Sequence, residues 1–377
     1  MKNLRLFAIT IAAFSLDHSS TAQYIVTDLG TLGGQSTASG LNDAGSVVGS
    51  SNTADNVHAF IYENGHMSDL NVPLDGYVGA RAINNAGTIV GSGYVNANTY
   101  SQPFETYIDN NGSFTLISTP GGTIAAEGIN ASGVVVGGYA LDYSNFYWNA
   151  YIYSGGTVTS LGTINNAWVS YGNAINDFGV VVGYFSDPNT NQGRNAFIYA
   201  DGTMTGIGAL PGGTHSSANA VNNAGVVVGD SSVADGHNHA FSYSSGSMLD
   251  LGTLGGTDSS AEGLNEGGMI VGYSLVSGGA QHAFLYADGT MTDLNSLVSL
   301  EGVTLIDARD INEWGQIIAA GDNGDVYLLT AVPEPSATAL GLGLSVLALV
   351  CIRRTRRLPD LTNSSCRRGC SSITERP

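Results

Sequence analysis

The chain is 377 residues long, carries a formal net charge of −19, and has only 11% charged side chains beside 52 glycines. Few charges and many turn-forming residues argue against a bundle of salt-bridged helices and favour short strands. Residues 23–331 hold 27 Asp and Glu against three Arg and no Lys. Because this body would repel phosphate backbones, the composition argues against nucleic acid as a partner.

The first 22 residues have the three parts of a secretory signal peptide. A basic start is followed by an apolar stretch over residues 6–16, which is too short to span a bilayer. The small residues Ser20 and Ala22 then precede a cut before Gln23. The alternative is a buried first helix. We expect residues 1–22 to direct export and to be removed.

One unit recurs seven times along the predicted body, residues 23–331. Its clearest copy has a turn at Asn222 and Gly225, a β-branched run over residues 226–228, and then a strand containing Phe241. An asparagine returns at spacings of 42, 46, 46, 46, 43 and 47 residues, always with glycine three positions later. The asparagines are Asn42, Asn84, Asn130, Asn176, Asn222, Asn265 and Asn312; the glycines are Gly45, Gly87, Gly133, Gly179, Gly225, Gly268 and Gly315.

Asparagine at the start and glycine at the end of this motif predict a type I turn followed by a bulge. Asparagine caps its own backbone, and glycine adopts the left-handed conformation without Cβ strain. A second hairpin in each unit turns at pairs such as Asn64-Gly65 and Asp288-Gly289. Each unit therefore contains four short strands.

Four strands in about 45 residues match one blade of a β-propeller. The seventh unit stops after its third strand, at residues 326–329, and a segment similar to the missing fourth strand stands at residues 24–30. A closed ring needs this circular shift, and closure removes the sheet edges that invite aggregation. The predicted fold class is all-β, a seven-bladed β-propeller closed by its N-terminal strand. An open solenoid or β-helix is the alternative.

Three units contain the tripeptide His-Ala-Phe, beginning at His58, His239 and His282. The sequence Asp-Leu-Gly-Thr-Leu-Gly-Gly occurs at residues 28–34 and 250–256. By these residues the body resembles the HAF repeat family over essentially its whole length. The resemblance implies an extracellular repeat protein, and that family has no well-defined biochemical activity.

The three histidines are interpreted as structural. Other units place Gln102, Asn149 or Asn195 at the same position. An amide can replace imidazole as a hydrogen-bond donor but not as a strong transition-metal ligand. We expect the histidines to tie strands or neighbouring blades together, without a cofactor. Weak Ca²⁺ binding stays open, because loops such as 42–45 and 322–325 hold oxygen ligands without the EF-hand spacing.

The irregular loops carry the candidate ligand-contact residues. Loops over residues 96–102, 141–149 and 187–194 break the repeat pattern. Aromatic rings in such loops can stack on sugars or anchor a protein partner, and packing between blades is the alternative. Four candidates lie in the loop over residues 141–149: Tyr143, Phe146, Tyr147 and Trp148. Two more, Tyr184 and Phe185, come just before the loop over residues 187–194.

Catalytic chemistry finds little support in the body, which contains no Cys and no Gly-x-Ser-x-Gly nucleophile elbow. Glu127 and Glu262 occupy the same register in two units. They are therefore interpreted as repeat positions and not as the acid pair of a glycosidase. No catalytic residue is predicted.

Residues 332–357 combine a Val-Pro-Glu-Pro motif, an apolar segment over residues 337–352 and an arginine cluster. The apolar segment is predicted as a transmembrane helix, although it is shorter than the roughly 20 residues of a full span, and the arginines would stay cytoplasmic. This order resembles the PEP-CTERM sorting signal, which implies envelope sorting in a Gram-negative bacterium and cleavage near the motif by an exosortase. The signal residues are Val332, Pro333, Glu334, Pro335, Arg353, Arg354, Arg356 and Arg357.

Residues 358–377 form a polar, basic tail that we expect to be disordered. The tail departs from the PEP-CTERM pattern, in which the chain stops just after the arginines, and it puts the efficiency of sorting in doubt. A plain C-terminal membrane anchor is the alternative to a sorting signal.

Together these features predict an exported, non-enzymatic repeat protein that is anchored in the membrane and then sorted to the cell surface or extracellular matrix. Its expected partners are the sorting machinery, the membrane, and exopolysaccharide or an envelope protein. Two alternatives stay open. One is an extracellular propeller glycoside hydrolase or lyase, which would need a unique acid pair at one face of the ring. The other is a purely structural envelope spacer.

Overall fold

The computed structural model describes residues 24–94, 104–119, 122–140, 147–164, 167–186 and 193–332. The predicted signal peptide, the segment Pro333–Pro377 and the candidates Tyr143 and Phe146 lie outside these ranges. The sorting signal and its apolar segment, apart from Val332, are therefore outside them too. Within the described ranges, no helix combines the length and hydropathy needed to cross a bilayer.

The described residues form seven antiparallel four-stranded sheets, which are the blades of the predicted β-propeller. Blades 1 to 6 each use four consecutive strands. Blade 1 contains β2 (Ser36–Leu41), β3 (Val47–Asn52), β4 (Val57–Glu63) and β5 (His66–Asp69); blade 2 contains β6 (Val78–Ile83), β7 (Thr88–Tyr94), β8 (Phe104–Asn110) and β9 (Ser113–Ile117); blade 3 contains β10 (Thr123–Ile129), β11 (Val135–Ala140), β12 (Asn149–Ser154) and β13 (Thr157–Gly162). Blade 4 contains β14 (Val169–Ile175), β15 (Val181–Ser186), β16 (Arg194–Ala200) and β17 (Thr203–Gly208); blade 5 contains β18 (Ser216–Val221), β19 (Val227–Ser232), β20 (Asn238–Ser244) and β21 (Ser247–Gly252); blade 6 contains β22 (Gly255–Leu264), β23 (Ile270–Val276), β24 (Gln281–Ala287) and β25 (Thr290–Asp293).

Blade 7 joins the two ends of the body, after a short 3₁₀ helix at Leu294–Ser296. Its strands are β26 (Leu305–Ile311), β27 (Ile317–Gly321), β28 (Val326–Ala331) and β1 (Tyr24–Asp28). β1 pairs antiparallel with β28 over its whole length. The predicted closure by the N-terminal strand is therefore confirmed.

A ring of asparagines links each blade to the next. The Nδ2 of every repeat asparagine donates to the backbone carbonyl of its counterpart in the following blade at 2.9–3.3 Å, and Asn312 returns to Asn42 at 3.0 Å. The other side-chain atom caps the turn: Oδ1 of Asn130 accepts the backbone N–H of Val134 at 3.0 Å. Gly133 closes that turn with φ +77°, where glycine is the residue without strain. One residue type thus shapes the turn and joins the blades.

Each blade packs on its neighbour through an aromatic ring on the third strand. Phe60 and Tyr107 are fully buried, in cores shared with the preceding blade, and lie opposite Gly49 and Gly91 of the second strand. A Cβ at Gly91 would crowd the Tyr107 ring at 2.5–2.7 Å, so glycine provides the room for it. Burial of such a ring stabilises the fold by about 1.5–3 kcal/mol. The same pairing recurs at Tyr151, Phe197, Phe241 and Phe284.

Candidate ligand-binding site

The two ends of the propeller differ because successive strands run in opposite directions. The Asn-Gly turns between first and second strands lie at one end, together with the turns between third and fourth strands. We call this end the turn face. Connections between second and third strands, and links from one blade to the next, lie at the other end, the loop face. Tyr147 and Trp148, the two predicted contact residues that directly precede β12, lie at the loop face.

A β-bulge in every first strand directs one side chain into the central channel. In blade 3 the register shifts between Ala126 and Gly128, and the skipped residue, Glu127, lines a channel cavity of about 250 Å³. The shift occurs at the same place in every blade, three residues before the repeat asparagine. The seven bulged residues, called the bulge ring, are Ser39, Arg81, Glu127, Asn173, Asn219, Glu262 and Arg309.

Aliphatic side chains lie in the channel on the turn-face side of the bulge ring. Each of them stands directly before a repeat asparagine. Each borders the channel cavity of about 250 Å³, a second cavity of about 350 Å³ at the turn face, or both. Carboxylates at that second cavity accept backbone N–H bonds, as Asp43 does from Glu313 at 3.0 Å, so they take part in joining the blades. The aliphatic residues are Leu41, Ile83, Ile129, Ile175, Val221, Leu264 and Ile311.

Two exposed aromatic rings, called the outer pair, lie at the loop face on blades 3 and 4. Tyr147 and Trp168 meet edge to face with centroids 6.3 Å apart. They are 52% and 63% exposed. Tyr147 is one of the predicted contact residues, whereas Trp168 lies in the link between blades and was not predicted. The pair presents apolar ring surface to solvent.

Next to the outer pair lies a stack of partly buried rings, called the inner stack. Trp148 meets Tyr171 edge to face at 5.6 Å, and Tyr171 stacks on Tyr184 at 5.8 Å with 14° between the ring planes. The Tyr171 hydroxyl donates to Oε1 of Glu127 at 2.8 Å, and burial raises the pKa of that hydroxyl well above its usual value. Arg194 lies over the Tyr184 ring at 4.3 Å. The stack therefore connects the loop face to the bulge ring.

The structure changes the role of two predicted contact residues. Phe185 is only 6% exposed and packs with Val181 and Phe197 in the blade core, because it points to the opposite side of β15 from Tyr184. It is removed from the contact surface. Tyr184 is covered by Tyr171 and Arg194, so it supports the site and does not offer a free ring for stacking.

One glycine, Gly138, is the feature of the sequence that could have indicated the inner stack. At Gly138 a Cβ would overlap the Tyr171 ring and lie 2.9 Å from the Trp148 ring. Most other blades have a side chain at this register, such as Asp230 or Tyr273. The glycine pair Gly137-Gly138 therefore marks a place where rings fill the space that a side chain takes in other blades.

Buried carboxyl groups lie in or near the channel on blades 5 to 7, among them Asp230, Glu262, Asp307 and Asp310. Glu262 accepts a hydrogen bond from Oγ of Ser260 at 2.7 Å, and burial raises its pKa to about 7. Burial also raises the pKa values of Asp230 and Asp307. Asp307 forms an ion pair with Nε of Arg309. This part of the channel thus holds a carboxyl group that can exchange a proton near neutral pH.

The repeat histidines bond within their own blades. Each Nδ1 contacts an aspartate of the fourth strand, which ties the third strand to the fourth. The pairs are His58 with Asp69 at 2.6 Å, His239 with Asp250 at 2.9 Å and His282 with Asp293 at 2.7 Å. In the part of the chain with described placement, no group of three His, Cys, Asp or Glu is arranged to hold a metal ion.

The loops considered for calcium use their polar atoms locally. In the loop at residues 322–325, Nδ2 of Asn323 donates to Oδ2 of Asp325 at 2.6 Å, and Oδ1 of Asp322 accepts the backbone N–H of Thr304 at 3.0 Å. In the loop at residues 42–45 the asparagine oxygen caps the turn. These contacts account for the residue types without a bound ion.

No protein-family model matches the chain, and no curated protein matches it. Among solved structures, the acylaminoacyl peptidase of Pyrococcus horikoshii is similar with a TM-score of 0.52 at 12% identity, over 78% of this chain and 51% of that one. A prolyl endopeptidase gives 0.52 at 12% identity over 83% and 50%. The β-propeller domain of the trilobed protease from Pyrococcus furiosus gives 0.49 at 12% identity over 76% and 91%. The chain spans about half the length of the first two proteins, and the likeness shows the propeller fold alone.

Proposed function

We propose that the protein is a non-enzymatic carbohydrate-binding propeller whose loop face holds an extracellular polysaccharide. The observation that carries this proposal is the outer pair, Tyr147 and Trp168, two large rings exposed side by side. Sugar rings present apolar C–H faces that pack on such surfaces, while their hydroxyls need polar partners nearby. The polar side chains of the bulge ring, which the inner stack connects to this face, are the partners that we propose.

Packing between blades does not account for the outer pair. The rings that pack blades together, such as Phe60 and Tyr107, are fully buried, whereas Tyr147 and Trp168 leave more than half of their surface in solvent. Adjacent exposed aromatic rings are typical of a recognition surface.

The ends of the chain support a location outside the cytoplasm. The sequence of residues 1–22 suits export, and that of residues 332–357 suits sorting. We therefore place the propeller, as a HAF-type repeat protein, at the surface or in the matrix of a Gram-negative bacterium, delivered through a PEP-CTERM signal. Mass spectrometry of the mature protein should find Gln23 at the N-terminus and a C-terminus near Pro333; an intact tail would contradict the sorting step.

The test of carbohydrate binding compares two exposed tryptophans on opposite faces. The body, residues 23–331, carries every strand of all seven blades and can be screened on a glycan array with and without Ca²⁺. Trp168→Ala should then raise the Kd for the best glycan about tenfold, because it removes one stacking ring. Trp314→Ala is the matched control, since Trp314 is 73% exposed at a turn-face position and should bind like the original protein.

Equal losses in the two variants would show that the outer pair has no special role. A blank array would reject carbohydrate binding and favour a protein partner or a structural spacer.

An enzyme acting on extracellular polysaccharide is the second candidate, and Glu262 is the observation that favours it. A carboxyl group with a pKa raised to about 7 in a channel can serve as a general acid. The body would then release reducing or unsaturated ends from a matrix polysaccharide, and Glu262→Gln would abolish the release. Binding without any product would leave the non-enzymatic proposal in place.

A further inference from the structure

The few Lys and Arg side chains of the body lie in the channel or at the loop face. Residues 23–331 contain three arginines and no lysine. Arg81 and Arg309 belong to the bulge ring, and Arg194 begins β16 at the loop face. The same stretch has 27 acidic residues. The channel and the start of β16 therefore hold all the Lys and Arg charge of a strongly acidic body.

The three arginines differ in their partners. Arg81 lies 3.8 Å from Oε2 of Glu127, and Arg309 pairs with Asp307. Over the described ranges, no carboxylate lies within ion-pair distance of Arg194. Its guanidinium is instead held on the Tyr184 ring, a contact that fixes its position without neutralising its charge.

Arg194 borders a cavity of about 500 Å³ between blades 4 and 5, called the Arg194 cavity. His215, Ser217, Asp230 and Asn238 also line it, and Nε2 of His215 contacts Oδ1 of Asn238 at 2.8 Å. The volume lies in the range of small-ligand sites, and the lining offers a cation, hydrogen-bond donors and hydrogen-bond acceptors. A sugar residue with a charged substituent needs this combination.

We propose that the Arg194 cavity binds a carboxylate-bearing sugar, a uronic acid residue of an acidic polysaccharide. The inference rests on the proposed carbohydrate-binding function and names its ligand class. The planar guanidinium matches a carboxylate with two parallel hydrogen bonds. Ser217 and Asn238 then face the sugar hydroxyls, while the outer pair holds a neighbouring part of the polymer.

The acidity of the body does not prevent this binding. At physiological ionic strength, charges separated by more than about 8 Å are largely screened in solvent. Asp230 is the carboxyl group among the described residues that line the cavity; burial raises its pKa, while the charge of Arg194 lowers it.

The experiment compares two oligosaccharides of equal length that differ in charge. Calorimetric titration of the body with a glucuronate tetrasaccharide and with cellotetraose, at about 0.15 M salt, should give a Kd at least about tenfold lower for the uronate. Arg194→Gln should raise the uronate Kd about tenfold to a hundredfold and leave the cellotetraose Kd unchanged. Arg194→Lys should recover little, because lysine lacks the paired donors.

A second variant tests the cavity without removing charge. Thr214 is exposed and lines the cavity, so Thr214→Trp should block the uronate while Trp314→Ala binds normally. If both sugars bind equally and Arg194→Gln has no effect, the uronate inference is overturned and carbohydrate binding stands. If neither sugar binds and a glycan array is also blank, both proposals fail.

Discussion

Glu127 and Glu262 occupy the same bulge position in blades 3 and 6, yet they meet different surroundings. Glu127 accepts a hydrogen bond from the Tyr171 hydroxyl and lies near Arg81. Glu262 is bonded by Ser260 and also experiences the like charge of Asp307. The repeat decides where each side chain points, whereas the surrounding side chains decide which contacts it makes.

At the residue scale, Glu262 predicts a pH-dependent stability. Its pKa of about 7 in the folded protein lies above the ordinary value of 4.5, so between these values the folded state binds more protons. The free energy of unfolding therefore falls as pH rises, by about 3 kcal/mol from this group once pH exceeds 7. Urea unfolding at pH 5 and pH 8 measures the fall.

The control for this measurement is an exposed glutamate. Glu262→Gln should remove most of this contribution, and any remaining slope is expected from groups such as Asp310, whose pKa burial also raises to about 7. Glu63→Gln, exposed on β4, should keep the original slope. An unchanged slope in Glu262→Gln would contradict the prediction.

At the scale of the element, the Asn-Gly turn is the unit that converts a hairpin into a ring. Its asparagine satisfies turn N–H groups with Oδ1 and reaches the next blade with Nδ2. A buried bond of this kind contributes only about 1 kcal/mol by itself. Seven such bonds, returning from Asn312 to Asn42, nevertheless define the same spacing between every pair of blades.

The two functions of this asparagine can be separated by one substitution. Asn130→Asp keeps an oxygen for the N–H groups of Ser132 and Val134 but puts an acceptor against the carbonyl of Asn176. We expect a loss of about 1–3 kcal/mol in the free energy of unfolding at pH 7, measured by urea denaturation. Asn111→Asp, the same change in a turn outside the ring, should cost less than about 0.5 kcal/mol; equal costs would refute a role for the ring.

At the scale of the whole molecule, one strand closes the circle. Tyr24 is 7% exposed and packs with Leu305 and Leu329 of blade 7. Without β1, the paired edge of β28 would be open to solvent or to another molecule. Closure therefore protects the sheet in addition to completing the core of the blade.

Deletion of residues 24–28 tests this closure. The deleted protein should lose about 10 °C or more in Tm, because it loses a strand's pairing and part of a buried core, and it should tend to associate through β28. Calorimetry and light scattering measure the two effects. A variant that carries residues 23–30 after Val332 through a short hairpin linker should recover the Tm; a deletion without effect would mean that β1 is dispensable.

The sequence by itself determined the number of blades, their four strands, the turn at each repeat asparagine and the circular shift. These features are local and periodic, since Asn and Gly at fixed spacing specify a turn wherever they occur. The structural interpretation of the repeat histidines followed from the same logic, because amides stand in for them in other units.

Only the tertiary structure decided which side chains meet in the candidate site. Arg194, His215 and Asp230 come from different connections and strands of blades 4 and 5, and no local spacing relates them. The pleat places Phe185 in the core and Tyr184 beside Arg194. The bulge turns Glu127 and its six counterparts into the channel. Direction along a strand depends on register and bulges, which are determined by pairing with neighbouring strands and not by the residue itself.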